Sequence, residues 1–416
     1  MSLQAPSSGP IALRPASGVP VASYAPVAAV AGGSARTSMH GFKASGQQLL
    51  RLDANEGIGP SAAWLEQTLR DLGSTAGGQA GGQAGALVRT YPGRKALAEQ
   101  IAEMLRVPSQ RVLVTAGADD ALDRAAGAML AGEGVGERVG KGVAEGVAEG
   151  VAKRVGVALT TTPTFEMIGR YIALRGGRQL SVPWLEGDFP AEVIVDAIAS
   201  TAGLRVVFVV SPNNPTGGVA TREQVERVWV ACIQRGVLLV IDQAYGEFGG
   251  DDLTGAFIER EGVVITRTLS KAWGLAGLRV GFACGDPRVL GWMDAAGQPY
   301  AASGVSLALA GKWLAAGQSE VDTYVQRCLL QRGALSDLLT EMGAAVVPSA
   351  ANFVFAAWPS GRAELVAGAL CAKGILVRSF TQGPAAGALR ITLPGTEAGG
   401  ERLMTALGEI KSEMQS

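Results

Sequence analysis

The chain of 416 residues holds a single histidine, His40. One imidazole excludes nucleophile–histidine triads, zinc sites built from several histidines, and HExxH chemistry. His40 lies in a stretch with loop composition, so acid–base work near neutral pH falls to a lysine, a carboxylate, a tyrosine or a cofactor. Lysine is also scarce, eight against 28 arginines, and the formal net charge is −1. That balance gives no basic field, so nucleic acid is not an expected partner. The four cysteines, Cys232, Cys284, Cys328 and Cys371, are widely separated. With no CxxC and no zinc-ribbon spacing they read as buried free thiols, which suits a reducing cytoplasm, and no metal is expected. No run of 18 apolar residues free of charge or turn signals occurs, so no membrane span is expected. Residues 1–46 contain five prolines and no carboxylate, the first acid being Asp53. This composition reads as a flexible N-terminal arm.

What the chain has in quantity is glycine, 58 residues, many in two low-complexity tracts. GGQAGGQAGA (77–86) reads as a flexible loop. The tract 134–153 contains GVAEGVAEGVAK and reads as a surface insertion, since a glycine in every turn costs a helix about 1 kcal/mol each against alanine. Elsewhere short apolar runs at 112–114, 155–159, 206–210, 238–241, 263–266 and 279–283 read as strands buried on both faces, as in a largely parallel sheet. Helical patterns lie between them. The clearest is Ala118–Leu130, with apolar residues at offsets 0, 3, 4, 7, 8 and 11, a single helix face. The alternation argues an α/β fold. After about residue 304 helices come first, then short strands at 351–355, 374–377 and 389–392, the pattern of a smaller α+β unit. The layout expected is an arm over 1–46, a connecting and small-domain segment over 47–87, a large domain over 88–304 and a C-terminal small domain over 305–416.

Several segments carry chemistry. Lys271 sits in TLSKAWGLAGLRVG (268–281), directly after the apolar run VVITRT, among small and apolar residues. Desolvation there lowers an amine's pKa and frees it as nucleophile or base, although an ordinary lysine reaching solvent fits the same local pattern. LLVIDQAYGEF places Asp242 at the end of a strand run and Tyr245 three residues on. A carboxylate at that edge suits a site or a helix cap. SPNNPTGG (211–218) follows another strand run as a polar turn, which also suits a loop bonding its own backbone. VLVTAGADDALD (112–123) leads from a strand into a helix start whose free N–H groups suit a phosphate.

In order and spacing these segments resemble the fold-type-I pyridoxal-phosphate aminotransferases, most closely the histidinol-phosphate aminotransferase family. The matching blocks also include RLDANEGIGPS (51–61), VRTYPGRKALAEQIA (88–102), TPTFEMI (162–168), ANFVF (351–355), GILVRSF (374–380) and LRITLPG (389–395), and they span about 47–416. The resemblance implies an α/β large domain with a mostly parallel central sheet flanked by helices, beside a smaller α+β domain. It implies pyridoxal 5'-phosphate as cofactor and Lys271 as its Schiff-base lysine, whose freed amine then moves the substrate proton. Asp242 would pair with the pyridinium nitrogen. Asn214 and Tyr245 would bond the ring's phenolic oxygen, and Phe165 would stack on the ring. Ser270, Arg279, Thr268 and the N–H groups of Ala118 and Asp119 would hold the cofactor phosphate. Tyr91 would reach the phosphate of a neighbouring subunit, making the active unit a homodimer. Arg390, assisted by Asn352, would bind a substrate carboxylate, and Arg378 a substrate phosphate.

The implied reaction is a ping-pong transamination between a small-molecule amino donor and a 2-oxo acceptor: glutamate against imidazole acetol phosphate, the product being histidinol phosphate. Alternatives on the same scaffold are an aromatic or other amino-acid aminotransferase and a decarboxylase resembling threonine-phosphate decarboxylase. A transcription regulator with an aminotransferase-like sensor would need a DNA-binding module, for which 1–46 is too short. Two departures stand out. Gln243 replaces the family's usual glutamate after the aspartate, and Gly57–Ile58 replace the polar or aromatic residue and proline that follow the Asn-Glu pair in many relatives.

Overall fold

The computed structural model describes residues 49–74, 82–130, 155–359 and 361–415. The expected arm over 1–46, with His40, and the tract 134–153 lie outside the described residues, as does the start of the 77–86 tract.

The strands are β1 (Leu50–Leu52), β2 (Val112–Thr115), β3 (Val157–Thr162), β4 (Arg178–Pro183), β5 (Leu204–Val210), β6 (Leu238–Asp242), β7 (Val263–Thr268), β8 (Gly281–Gly285), β9 (Ala345–Val347), β10 (Phe353–Ala357), β11 (Ile375–Phe380) and β12 (Ala388–Thr392). Seven of them form one sheet in the order β2-β8-β7-β6-β5-β3-β4. The pairs β4/β3, β3/β5, β5/β6 and β6/β7 are parallel, whereas β8 runs antiparallel to both β7 and β2. The sheet is thus mostly parallel, as expected, with one reversed strand. Its inner strands are apolar at successive positions because both faces are covered. Val207 and Val209 of β5 belong to one core, and Val206, Phe208 and Val210 to the other. Helices Ala118–Leu130 and Pro287–Ala296 supply side chains to the second core, and Ala191–Ser200 and Arg222–Arg235 to the first.

The second sheet has the order β1-β11-β12-β10-β9. β1 pairs parallel with β11, while β11/β12, β12/β10 and β10/β9 are antiparallel. This sheet joins a strand from the beginning of the chain to strands from its end. The helix Gln318–Glu341 runs between the two sheets' sequence segments.

Some details differ from the sequence expectations. β1, β4 and β9 were not expected. β4 is a sheet-edge strand with a polar RQLSVP sequence, and β1 and β9 have three residues each, too short to show alternation. Residues 82–86, expected as flexible loop, belong to the helix Gly82–Arg89. That helix packs close enough for the Leu87 carbonyl oxygen to lie 2.6 Å from where a Gly304 Cβ would stand, so tertiary packing overrides weak glycine propensity. The Ala118–Leu130 helix falls where its pattern predicts. It also buries Arg124, which the apolar pattern cannot show; the guanidinium bonds Asp120 at 2.9 Å and the Gln298 carbonyl oxygen at 2.5 Å. Among the described residues, no helix is long and apolar enough to cross a membrane.

Candidate active site

In a parallel sheet all strands end on the same edge, and α/β proteins build sites there. Here β2, β3, β5, β6 and β7 end at that edge, and β8 begins at it, with Gly281 opposite both Thr115 and Thr268. The loops leaving these strand ends surround a cavity of about 470 Å³, a size suited to a cofactor with a small substrate. From the first sheet it is lined by Ala118, Asp119, Phe165, Asn214, Asp242, Tyr245, Thr268, Ser270, Lys271 and Arg279. Arg378 and Phe380 of β11 and Arg390 of β12 close it from the second sheet, and residues 53–56 from the segment after β1.

The floor is Asp242, the last residue of β6, 4% exposed. Its Oδ1 accepts the Thr266 hydroxyl at 2.8 Å. Burial raises its pKa from the ordinary 3.8 to about 6, against the lowering effect of the Thr266 bond. Such a group favours a cation placed beside it. The neighbouring Gln243 turns away, accepting from the Thr254 hydroxyl at 2.7 Å, so this departure leaves the Asp242 surroundings intact.

Lys271 follows β7 on a tight turn, and its Nζ donates to the Ala54 carbonyl oxygen at 3.2 Å and stands 5.7 Å from the Tyr245 ring centroid. The turn is covered by backbone. A Cβ on Gly57 would stand 1.7 Å from the Lys271 carbonyl oxygen, and Gly274, at φ +66°, lies against Ile58. Gly57 therefore has a physical reason: only a residue without a side chain lets this strip lie on the lysine turn.

One corner is made for an anion. The Thr268 and Ser270 hydroxyls are 3.0 Å apart, and the helix start at Ala118 and Asp119 faces the same cavity. Arg279, in a left-handed conformation at φ 52°, reaches Asp119 at 3.0 Å. Gly117, at φ +88°, keeps this corner open, since a Cβ there would stand 3.1 Å from Arg279 Nη2.

The opposite wall carries two cations. Arg378 and Arg390 are direct register partners across β11 and β12. Arg390 donates to Asn214 Oδ1 at 2.6 Å and to the Asp53 carbonyl oxygen at 2.7 Å, and lies over the Phe353 ring at 5.4 Å. Its Nε is buried with no hydrogen-bond partner, and burial lowers its pKa to about 10. Arg378 is paired with Glu166 at 3.5 Å.

Twelve of the fourteen residues singled out in the sequence line this cavity. Asn352, which the resemblance implied would assist Arg390, does not. It is fully buried, and its Nδ2 reaches the Asn55 carbonyl oxygen at 3.4 Å and the Tyr324 hydroxyl at 3.3 Å. Tyr91 is also outside it, 81% exposed and stacked on Tyr300 with ring centroids 4.5 Å apart. Sequence reasoning missed Asn55, Glu166 and Phe380. All three lie inside matched blocks, but a matched block does not tell which of its side chains turns inward.

A lysine after a strand end, a buried carboxylate and an anion corner share one cavity, an arrangement that suits a pyridoxal-phosphate enzyme of the aspartate aminotransferase-like fold. Residues 139–407, more than half of the chain, match the profile of the family described as aminotransferase class I and II. The chain belongs to that family, and it is a transaminase that uses pyridoxal phosphate. It is 31% identical over 388 residues to the histidinol-phosphate aminotransferase of Erythrobacter litoralis, covering 89% of this chain and 93% of the relative. It is 34% identical over 221 residues to the aromatic amino acid aminotransferase of Mycobacteroides abscessus, covering 52% and 62%. The crystal structure of histidinol-phosphate aminotransferase from Sinorhizobium meliloti in complex with pyridoxal-5'-phosphate shares the fold, with a TM-score of 0.71 at 24% identity over 89% of this chain and 92% of that one.

Proposed function

We propose that the chain exchanges an amino group between glutamate and imidazole acetol phosphate, acting as a histidinol-phosphate aminotransferase in histidine biosynthesis. The observation that carries this reading is the pairing of Arg378 with Arg390 in register on the wall facing Lys271. A buried guanidinium suits the carboxylate of glutamate and 2-oxoglutarate, and the second, at the mouth beside Glu166, suits the phosphate that histidinol phosphate and imidazole acetol phosphate carry.

The residues present fit the cofactor. When bound, it supplies an electron sink for the pair left at the substrate's Cα. Asp242 holds a proton at the ring nitrogen, for which its buried position without a paired cation is suited. Thr268, Ser270, Arg279 and the Ala118 and Asp119 N–H groups hold the phosphate in the corner that Gly117 keeps open. Phe165 covers a ring face. Tyr245 and the amide group of Asn214, whose Oδ1 is taken by Arg390, donate to the phenolic oxygen. Lys271 anchors the cofactor and then carries the proton from Cα, the work that in a chain with one histidine has no imidazole to do it.

Tyr91 supports a homodimer in this reading. An exposed phenol that is stacked on Tyr300 and does not line its own cavity is free to serve a second subunit. The domain reading groups 47–87 and 305–416 around the second sheet and 88–304 around the first. The four free thiols favour the cytoplasm.

A panel of half-reactions tests the reading. The pyridoxal form is mixed with histidinol phosphate, glutamate, phenylalanine, tyrosine and threonine phosphate, and loss of its visible band is followed. Rapid conversion by histidinol phosphate and glutamate is expected. Conversion by phenylalanine with histidinol phosphate inert moves the assignment to an aromatic aminotransferase, a reading that Phe165 and Phe380 on the cavity wall favour. Carbon dioxide release from threonine phosphate would make it a decarboxylase.

A further inference from the structure

Asn55 has no part in the mechanism above, yet it is among the most constrained residues at the cavity. It is 1% exposed and left-handed, at φ 54°. Its backbone N–H donates to Thr392 Oγ1 at 3.1 Å, and its carbonyl accepts from Asn352. Its side-chain Oδ1 accepts the Thr392 hydroxyl at 2.8 Å, and its Nδ2 donates to the Tyr245 hydroxyl oxygen at 2.9 Å. These contacts fix the direction of every bond. Thr392 is 2% exposed, and flipping the Asn55 amide would leave its hydroxyl hydrogen with no acceptor. Nδ2 therefore faces Tyr245, whose oxygen accepts. The phenol's one hydrogen is left for the cavity.

We propose that Asn55 is a positioning residue that makes Tyr245 a hydrogen-bond donor toward the cofactor's phenolic oxygen, with Thr392 fixing the polarity of the chain Thr392–Asn55–Tyr245. The proposal rests on the reading that Tyr245 bonds that oxygen. It also links the two sheets: Thr392 lies two residues beyond Arg390 on β12, while Tyr245 belongs to the loop after β6. A donor at the phenolic oxygen withdraws charge from it, and so lowers the pH at which the neighbouring linkage between Lys271 and the cofactor loses its proton. The ionisable groups facing Tyr245 are Lys271, Arg390 and Tyr324. All three stay in place in the variants below.

The test is a pH titration of the visible absorption band of the holoenzyme. Tyr245→Phe raises the midpoint by about one pH unit, the scale of one hydrogen bond to the charged form. Thr392→Val, which does not line the cavity, frees the Asn55 amide to flip and accept the phenol's hydrogen; it raises the midpoint in the same direction by a smaller amount. Asn55→Ala removes the donor to the phenol oxygen without offering an acceptor for its hydrogen, and raises the midpoint by a smaller amount still. Combining Thr392→Val with Tyr245→Phe adds nothing to Tyr245→Phe alone, since both remove one donor. A merely structural role for Asn55 and Thr392 would change cofactor retention or thermal stability and leave the midpoint at the wild-type value. Wild-type midpoints for both single variants beside a shifted Tyr245→Phe, or additive shifts in the double variant, overturn the proposal. An unshifted Tyr245→Phe overturns the reading of Tyr245 and the proposal with it.

Discussion

The wall made by the strand ends of the first sheet and the wall made by β11 and β12 face one cavity, but they are assembled differently. On the first wall each functional side chain sits within a few residues of a buried strand: Asp242 ends β6, Lys271 follows β7 by three residues, and Asn214 follows β5 by four. Strand burial and the common direction of parallel strands place them. On the second wall the contacts bridge remote segments. Arg390 is held by Asp53 and Asn214, and Asn55 by Thr392, partners separated by up to 337 residues. The first wall is positioned by local chain geometry, the second by packing between segments. In the proposed function, chemistry common to all substrates belongs to the first, and discrimination among substrates to the second.

Substitutions can break or sharpen this contrast. The largest effect is expected at Lys271→Ala, with transamination lost by about 1,000-fold or more, as for removal of a general acid–base group. Borohydride trapping of cofactor should be abolished too, with the circular dichroism of the fold retained. A variant that transaminates normally would remove Lys271 from the chemistry. On the second wall Arg390→Ala should lower kcat/KM for glutamate by roughly 100-fold, since a buried charge-assisted contact is lost and its protein partners are left unpaired. Arg378→Ala should raise KM for histidinol phosphate by about tenfold with far less effect on glutamate; equal losses for both substrates would argue that the wall does not discriminate.

Gly57→Ala probes the seam between the walls. Its Cβ would meet the Lys271 carbonyl oxygen at 1.7 Å, so backbone must move, at an overpacking cost of about 1–3 kcal/mol. The thermal midpoint should fall and kcat should drop with it. An unchanged kcat would show that the lysine turn does not depend on this strip.

The smallest effect concerns the protein without cofactor. Asp242 titrates at about 6 in the fold against an ordinary 3.8, so the folded state holds its proton more tightly. Its contribution to stability is therefore greatest below about pH 4 and is lost as pH climbs toward about 6. Asp242→Asn should remove that slope, so the variant gains urea resistance relative to wild type at pH 7 but not at pH 4. Equal slopes would show that the carboxylate is already compensated.

The single histidine, the isolated lysine between an apolar run and small residues, and the carboxylate closing another apolar run were enough to direct attention to the first wall. Periodicity located the Ala118–Leu130 helix, and continuous apolar runs located most inner strands, because a residue buried on both faces must be apolar whatever lies beyond it. The residues illegible in sequence are those whose environment is made by distant partners. Nothing in the apolar pattern marks Arg124 as buried, and only its partners Asp120 and the Gln298 carbonyl oxygen account for its place in the core. The helix Gly82–Arg89 reads as a glycine-rich loop until Gly304 gives it a surface to lie on.

Sequence alone determined the fold class and the family and pointed to Lys271 as the proposed reacting lysine, since these follow from the order of apolar runs and from residue types that chemistry cannot exchange. Tertiary structure alone decided that Arg378 and Arg390 stand side by side, that Gly57 must lack a side chain, and that Asn352 is sealed behind the cavity. Each of these depends on which surfaces meet when the start and end of the chain share one sheet, and that meeting is a property of packing rather than of any local run of residues.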